Sequence, residues 1–308
     1  MSRIGTLAQA NTMLLLMQQT QNTANSLQQQ ISTGRKSTTF AGISDQVTQL
    51  TNLQASVSQH QQFVNNIDTV STRISLMITS TQQIRSTIQD IAGLLPNGAF
   101  NTAKGEDIRD QARAALASIG ATLNSQDGTR FLYSGSATST PAFDQANLPS
   151  PADLNADSAA GGYYGGDAVL SSAQIDQKLT VTYGVTADNP AFENAIRALN
   201  FLANLPTLPD PNNATDNANV SQASTLISAS LEGLKGLTSN LALQQGQLTN
   251  SENLHKKVIA LAQGSISNIE AIDPATVITQ LNSATTQLQA SYSAVSELQH
   301  LSLVNFLR

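Results

Sequence analysis

Residues 50–95 read LTNLQASVSQHQQFVNNIDTVSTRISLMITSTQQIRSTIQDIAGLL, and their apolar side chains recur in alternating steps of three and four. Leu50, Leu53, Val57, Val64, Ile67, Ile74, Ile78, Ile88 and Leu95 form one stripe, with His60, Ser71, Thr81 and Arg85 as its polar members. Such a stripe is the heptad signature of a helix that packs along its length against another helix. Taken over 45–95, it predicts a rod of roughly 75 Å at 1.5 Å per residue. The run Leu95-Pro96-Asn97-Gly98 stops it with turn-forming residues, and a further helix is expected at about 106–126.

A partner of similar length is legible at 219–269. Ile227, Leu231, Leu234, Leu241, Leu248, Ile259, Ala262, Ile266 and Ile269 keep the same steps, interrupted by Gln245, Glu252 and His255. Two rods from opposite halves of a chain can pair antiparallel only if the middle is an excursion. Between 128 and 190 the helical period is lost and Gly, Pro, Ser and Asp become common. Gln177 to Tyr183 alternates polar and apolar, which predicts a strand ending at the Gly184 turn. Helix returns at 190–205 with Phe192, Ile196, Leu199 and Leu202, and a Pro- and Asn-rich linker from Pro206 to Asn219 leads into the second rod.

The expected fold is mainly α, with long antiparallel coiled-coil-like helical rods from both chain ends and a small β-rich inserted module. The corresponding domains are 1–40 plus 271–308 as a terminal helical assembly domain, 41–143 plus 188–270 as a helical rod domain, and 144–187 as the inserted module.

The first and last segments share an unusual character. Residues 1–34 hold one charged side chain, Arg3, and residues 274–308 hold Glu297 and Arg308. Each still carries a seam: Leu7, Ala10, Leu14, Met17, Ala24, Leu27 and Ile31 in the first, Val277, Leu281, Ala284, Leu288, Val295 and Leu298 in the last, after the start signal Asp273-Pro274. Isolated helices are marginal in water and gain most of their stability by burying an apolar stripe. In a monomer these two segments have only each other, whereas an assembly surrounds them with neighbours. The candidate assembly interface is therefore Leu7, Leu14, Met17, Leu27 and Ile31 together with Leu281, Leu288, Val295, Leu298, Leu303 and Phe306.

Composition narrows the function. Charged residues are 12% of 308, about half the roughly 25% of ordinary soluble domains, and polar uncharged residues take their place. A net charge of −6 argues against nucleic acid and anionic membrane as partners, since either needs a basic face. With no cysteine, disulfides and thiolate metal sites are excluded. The apolar run Met13 to Met17 is too short to span a membrane and lacks a secretory cleavage site, so an extracellular destination needs another export route.

Catalytic chemistry is not visible. There is no Walker loop, GxGxxG or GxSxG, and His60, His255 and His300 lie on separate segments without metal-ligand spacing. His60 and His255 occupy seam positions and could face each other. The acidic group Glu106, Asp107 and Asp110 suits a helix start. Phe131, Tyr133, Phe143, Tyr163 and Tyr164 suit a small core beneath the inserted module, since nothing basic accompanies them. Asn213-Ala-Thr and Asn219-Val-Ser match glycosylation sequons within an Asn-rich linker. No cofactor and no enzyme activity are expected.

Several passages carry a family resemblance. Ile31-Ser32-Thr33-Gly34-Arg35-Lys36 with Asp45 after it, and Leu301-Ser302-Leu303-Val304-Asn305-Phe306-Leu307, resemble bacterial flagellins. Gly128-Thr129-Arg130-Phe131-Leu132-Tyr133-Ser134-Gly135 running on to Pro141-Ala142-Phe143, Tyr164-Gly165-Gly166-Asp167, and Ser291-Tyr292 are more similar to the hook–filament junction proteins, the third of the hook-associated proteins. The resemblance implies an extracellular part of the bacterial flagellum, exported unfolded by the flagellar type III apparatus without a cleaved signal peptide. It implies as partners further copies in a helical array, a hook-side hook-associated protein, flagellin, and a cytosolic export chaperone. Flagellin itself, the bulk filament subunit, uses the same rods and terminal seams and is the alternative; a coiled-coil adaptor is a third.

Overall fold

A computed structural model describes residues 2–95, 105–155, 162–205 and 213–304. Its helices are α1 (Ser2–Thr33), α2 (Val47–Leu94), α3 (Gly105–Leu123), α4 (Pro190–Ala203), α5 (Ala214–Glu270) and α6 (Pro274–Val304). Strands β1 (Gln126–Asp127) and β2 (Arg130–Phe131) form one small antiparallel pair, and β3 (Ser171–Asp176) and β4 (Leu179–Tyr183) another. The fold is thus mainly α with a small antiparallel β module in its middle. Contacts divide the chain into two units, Met1–Ser58 with Val258–Arg308, and Gln59–Lys257.

In the second unit most heptad positions of α2 are buried as expected, with Ile67, Ile74 and Ile88 fully enclosed, while Ile78 and the polar members His60, Ser71 and Arg85 are half-buried. A neighbouring column, Phe63, Val70, Met77, Ile84 and Ile91, is buried beside them, so α2 covers a wider face than a two-stranded seam. A helix that packs on several partners needs that extra column. On α5 the matching column is Ile227, Leu234, Leu241, Leu248 and His255, one residue per heptad. Gln245 reaches Ser71 across the pair, and His255 reaches His60, so positions rising along α2 meet positions falling along α5. The two helices therefore run antiparallel.

Helices α3 and α4 pack together on this pair. Asn189 caps α4 by accepting from the Ala191 amide at 3.0 Å, and Pro190 supplies the fixed φ of a first helical residue. Glycine at 233 lets α5 approach closely: a Cβ there would lie 2.7 Å from that of Ala191, and Ser230 Oγ donates to the Ala191 carbonyl at 2.6 Å. Arg197 of α4 is enclosed yet paired, donating to Glu193 at 2.7 Å and to Asp153 at 3.1 Å. Asn213, in the first sequon, accepts from the Thr215 amide at 2.9 Å at the start of α5, which gives that residue type a structural reason.

The strand expected at 177–183 begins at Leu179, because Gln177 and Lys178 form the turn from β3. Register is Ser171 opposite Tyr183 and Ala173 opposite Val181, with an irregularity between Gln174 and Asp176. The hairpin lies on the helices: Asn66 donates to the Gln174 carbonyl at 3.0 Å, and Arg73 donates to Asp127 at 2.7 Å and to the Tyr183 hydroxyl at 2.9 Å. Tyr133, Phe143, Tyr163, Ile175 and Tyr183 belong to the same buried cluster as Ile67 and Ile74. Tyr133 donates its hydroxyl to the Met77 carbonyl at 3.2 Å and stands edge-on to Phe192, while Tyr163 donates to the Ala187 carbonyl at 3.0 Å. The aromatic residues form a core, and the stretch 144–187 contributes side chains to the core that the helices build.

Candidate assembly interface

Helices α1 and α6 form a pair within the first unit, and the chain between them is tied at one point. Gly34, at φ +69°, closes α1 by donating its amide to the Gln30 carbonyl at 2.8 Å; the left-handed conformation suits glycine. Just beyond, Arg35 and Ala271 form an antiparallel bridge. The Lys36 amide donates to the Glu270 carbonyl at 2.7 Å, and the Ile272 amide donates to the Gly34 carbonyl at 3.1 Å. Arg35 also pairs with Glu270 at 3.1 Å, and Lys36 Nζ donates to the Asn268 carbonyl at 3.0 Å. Asp273 then starts α6, accepting from the Thr276 hydroxyl at 2.7 Å and the Ala275 amide at 3.1 Å. Those two donors, the hydroxyl foremost, hold its carboxyl below the ordinary range. Because α1 runs into this tie and α6 runs out of it, the two helices are antiparallel.

Their common seam is thin. Ala24 and Leu27 of α1 and Val277, Ala284 and Leu288 of α6 are buried, with Met17, Ile31, Ile272 and Leu281 packed on the flanks. A second cluster, Ile43, Leu50 and Ile269 with Val47, Leu53 and Ile266 beside it, holds the start of α2 to the end of α5 in the same unit. Beside the α1–α6 seam runs a groove of about 490 Å³, lined among others by Leu16, Thr20, Thr23, Gln280, Ser283 and Gln287. None of its lining residues is charged.

The expected interface residues fall into three groups. Leu27 and Leu288 are in the buried seam; Met17, Ile31 and Leu281 pack against it, and Val295 is half-buried. Leu14 is exposed at 47%. The side chains of Leu7, Leu298 and Leu303, and all of Phe306, lie outside the described residues. Apolar residues not expected at the interface are exposed here as well: Leu15 at 62%, Leu16 at 57%, and Ile278 and Tyr292 on α6. The signal for Leu15 and Leu16 was present in the run Met13 to Met17. Five consecutive apolar residues turn through well over one face of a helix, so a single partner cannot cover them all.

Unsatisfied apolar surface without charge is what the pair presents to its surroundings. From Ser2 to Thr33 the sole charge is Arg3, and from Pro274 to Val304 it is Glu297. Such a surface does not repel a copy of itself, and among the described residues its leucines stay exposed. Among the described residues no group of three His, Cys, Asp or Glu side chains could hold a metal ion, and no helix is long and apolar enough to cross a membrane.

Residues 224–307 match the bacterial flagellin C-terminal helical region, which takes in most of α5 and all of the described part of α6. No curated protein is significantly similar in sequence. Among solved structures, a flagellar hook-associated protein of Vibrio parahaemolyticus superposes with a TM-score of 0.58 at 15% identity, over 71% of this chain and 95% of that one. FlgL of Bacillus cereus gives 0.54 at 11% identity, over 71% of this chain and 99% of its own. FlgL of Xanthomonas campestris gives 0.54 at 11% identity, over 70% and 98%. At these identities the likeness is one of fold.

Proposed function

We propose that this chain, with a flagellin-type C-terminal helical region on the fold of flagellar hook-associated proteins, is a structural subunit that joins hook to filament and polymerises through α1 and α6. The observation that carries the proposal is the uncharged α1–α6 pair, whose thin seam leaves Leu14, Leu15, Leu16, Ile278 and Tyr292 exposed. Association would cover that surface, and a head-to-tail contact that does not close generates a helical array. In such an array residues 1–40 and 271–308 act as the assembly domain, 41–143 with 188–270 as the rod, and 144–187 as the module set into it.

The partners that follow are a hook-side hook-associated protein, flagellin on the other side, and a cytosolic export chaperone before secretion to the cell exterior by the flagellar type III route. The work is mechanical and requires no cofactor or catalysis. Binding couples to helix stability: whatever docks on the α1–α6 pair stabilises helices that are marginal alone.

Deleting the gene and imaging the cells by electron microscopy tests this. Cells should keep hooks, lose attached filaments and release flagellin into the medium. Normal attached filaments would refute the proposal. The bulk-filament alternative is separated by abundance, since a junction subunit is a trace band in sheared filaments and a filament subunit the dominant one.

A further inference from the structure

The β3–β4 hairpin is fastened to both long helices. From α2, Asn66 Nδ2 donates to the Gln174 carbonyl at 3.0 Å, Gln59 Oε1 accepts from Gln177 Nε2 at 3.0 Å, and Arg73 donates to the Tyr183 hydroxyl at 2.9 Å. From α5, His255 donates from Nε2 to the Ile175 carbonyl at 2.7 Å, since a carbonyl can only accept, and Gln244 Oε1 accepts from the Gly184 amide at 3.4 Å. The contacts on α2 run from Gln59 to Arg73, roughly 20 Å at about 1.5 Å per residue, which is the length of a strand such as β3. The turn end of the hairpin sits by Gln59 and His255, and its base by Arg73 and Gln244. It therefore lies lengthwise along the helix pair.

The seam beneath it contains two polar layers. His60 and His255 meet there with Nδ1 atoms 2.8 Å apart, and Gln245 bonds Ser71 while its own Oε1 is enclosed without a hydrogen-bond partner among the described residues. Such pairs add less stability than the aliphatic contacts they displace, and an unsatisfied enclosed amide oxygen costs some. The hairpin brings apolar material to the same place. Ile175 and Tyr183 belong to one buried cluster with Ile67 and Ile74 of α2 and Leu241 and Leu248 of α5.

A two-stranded hairpin is marginal by itself in water, so β3–β4 takes its order from the helices it lies on. Linkage makes the effect reciprocal: the stability that docking confers on the hairpin is conferred equally on the docked arrangement of the helices. We propose that the β3–β4 hairpin is a strap along α2 and α5. Docked, it holds the two helices together over the stretch that carries the polar layers; lifted, it frees both helices there at once. The strap goes beyond the flagellar assignment and does not depend on it.

The test is amide hydrogen exchange of the full chain in wild type, Asn66→Ala and Ile175→Ala. Asn66 is exposed on α2 and ties down the hairpin, and alanine is the better helix former, so the substitution by itself should steady α2 and leave α5 alone. A strap predicts that α5 responds: its amides from Leu241 to His255 should quicken about fivefold, the equivalent of one hydrogen bond lost from the docked hairpin. Ile175→Ala removes a buried anchor and should quicken both that stretch and α2 from His60 to Arg73 by about tenfold or more, relative to amides around Ile88 and Ile119. Faster exchange confined to β3 and β4 would overturn the proposal. So would a uniform increase over the whole second unit in Ile175→Ala, which would mark a general loss of stability. If Ile175→Ala does not fold, the α5 amides of Asn66→Ala decide alone.

Discussion

Replacing Leu14, Leu15 and Leu16 together by glutamine separates assembly from folding. These side chains are 47%, 62% and 57% exposed, so the folded monomer buries only about half of each. Full burial of a leucine is worth about 2 kcal/mol, and covering the remaining half about 1 kcal/mol. Three such positions amount to about 3 kcal/mol per docked subunit, or about a hundredfold in the association constant. Glutamine forms helix nearly as well as leucine, and surface changes of this kind usually stay within about 0.5 kcal/mol each, so the monomer should melt within a few degrees of wild type. The assay combines a circular-dichroism melt of purified monomer with the swimming and shed flagellin of cells that carry only the variant. Loss of filament attachment with a nearly unchanged melt is expected. A large fall in melting temperature with filaments still attached would refute the reasoning, because it would place those leucines in the monomer's own core.

Leu288→Ala removes a buried member of the α1–α6 seam and should destabilise that pair by about 2–3 kcal/mol; faster amide exchange in α1 around Met17, with the second unit unchanged, is the readout. Arg197→Ala leaves Glu193 enclosed without its partner and should cost about 3–5 kcal/mol in urea unfolding. Burial pushes the Tyr133 hydroxyl up to about 12, while an unfolded tyrosine loses its proton near about 10. Stability is then intact below about pH 10 and falls towards pH 12 by roughly 3 kcal/mol from this residue. Tyr133→Phe should lessen that alkaline loss in denaturant melts without abolishing it, since burial also pushes Tyr163 upward.

The rods were legible because their seams repeat: Ile67, Ile74 and Ile88 on α2 and Ile227, Leu234, Leu241 and Leu248 on α5 need no knowledge of the partner to be read as buried. The column Phe63, Val70, Met77, Ile84 and Ile91 repeats as faithfully but lies one position beside the stripe. It becomes core only because α2 has neighbours on more than one side. Strand β3, Ser171–Asp176, left no trace, since its sequence SSAQID has little alternation and its conformation is set by pairing with β4. Arg197 was equally silent: a charge on a helix gives no hint of being enclosed until Glu193 and Asp153 are brought to it. At the interface the heptad stripe pointed to Leu27 and Leu288, which the monomer already uses. Leu15 and Leu16, off the stripe, are among those the monomer leaves exposed.

The bridge between Arg35 and Ala271 gives the terminal pair a fixed foot. With that foot in place, α1 and α6 need not find each other by diffusion; they close like a zipper, each turn brought to high effective concentration by the turn before it. Opening must run the other way, starting furthest from Gly34 and Ala271. Amide exchange should therefore be slowest near Leu27 and Val277 and quicken towards Leu14 and Tyr292, and a uniform rate along both helices would contradict the zipper. An incoming helix would meet the loosened turns first and be drawn towards the foot, so the order in which contacts form is written into where the chain is tied.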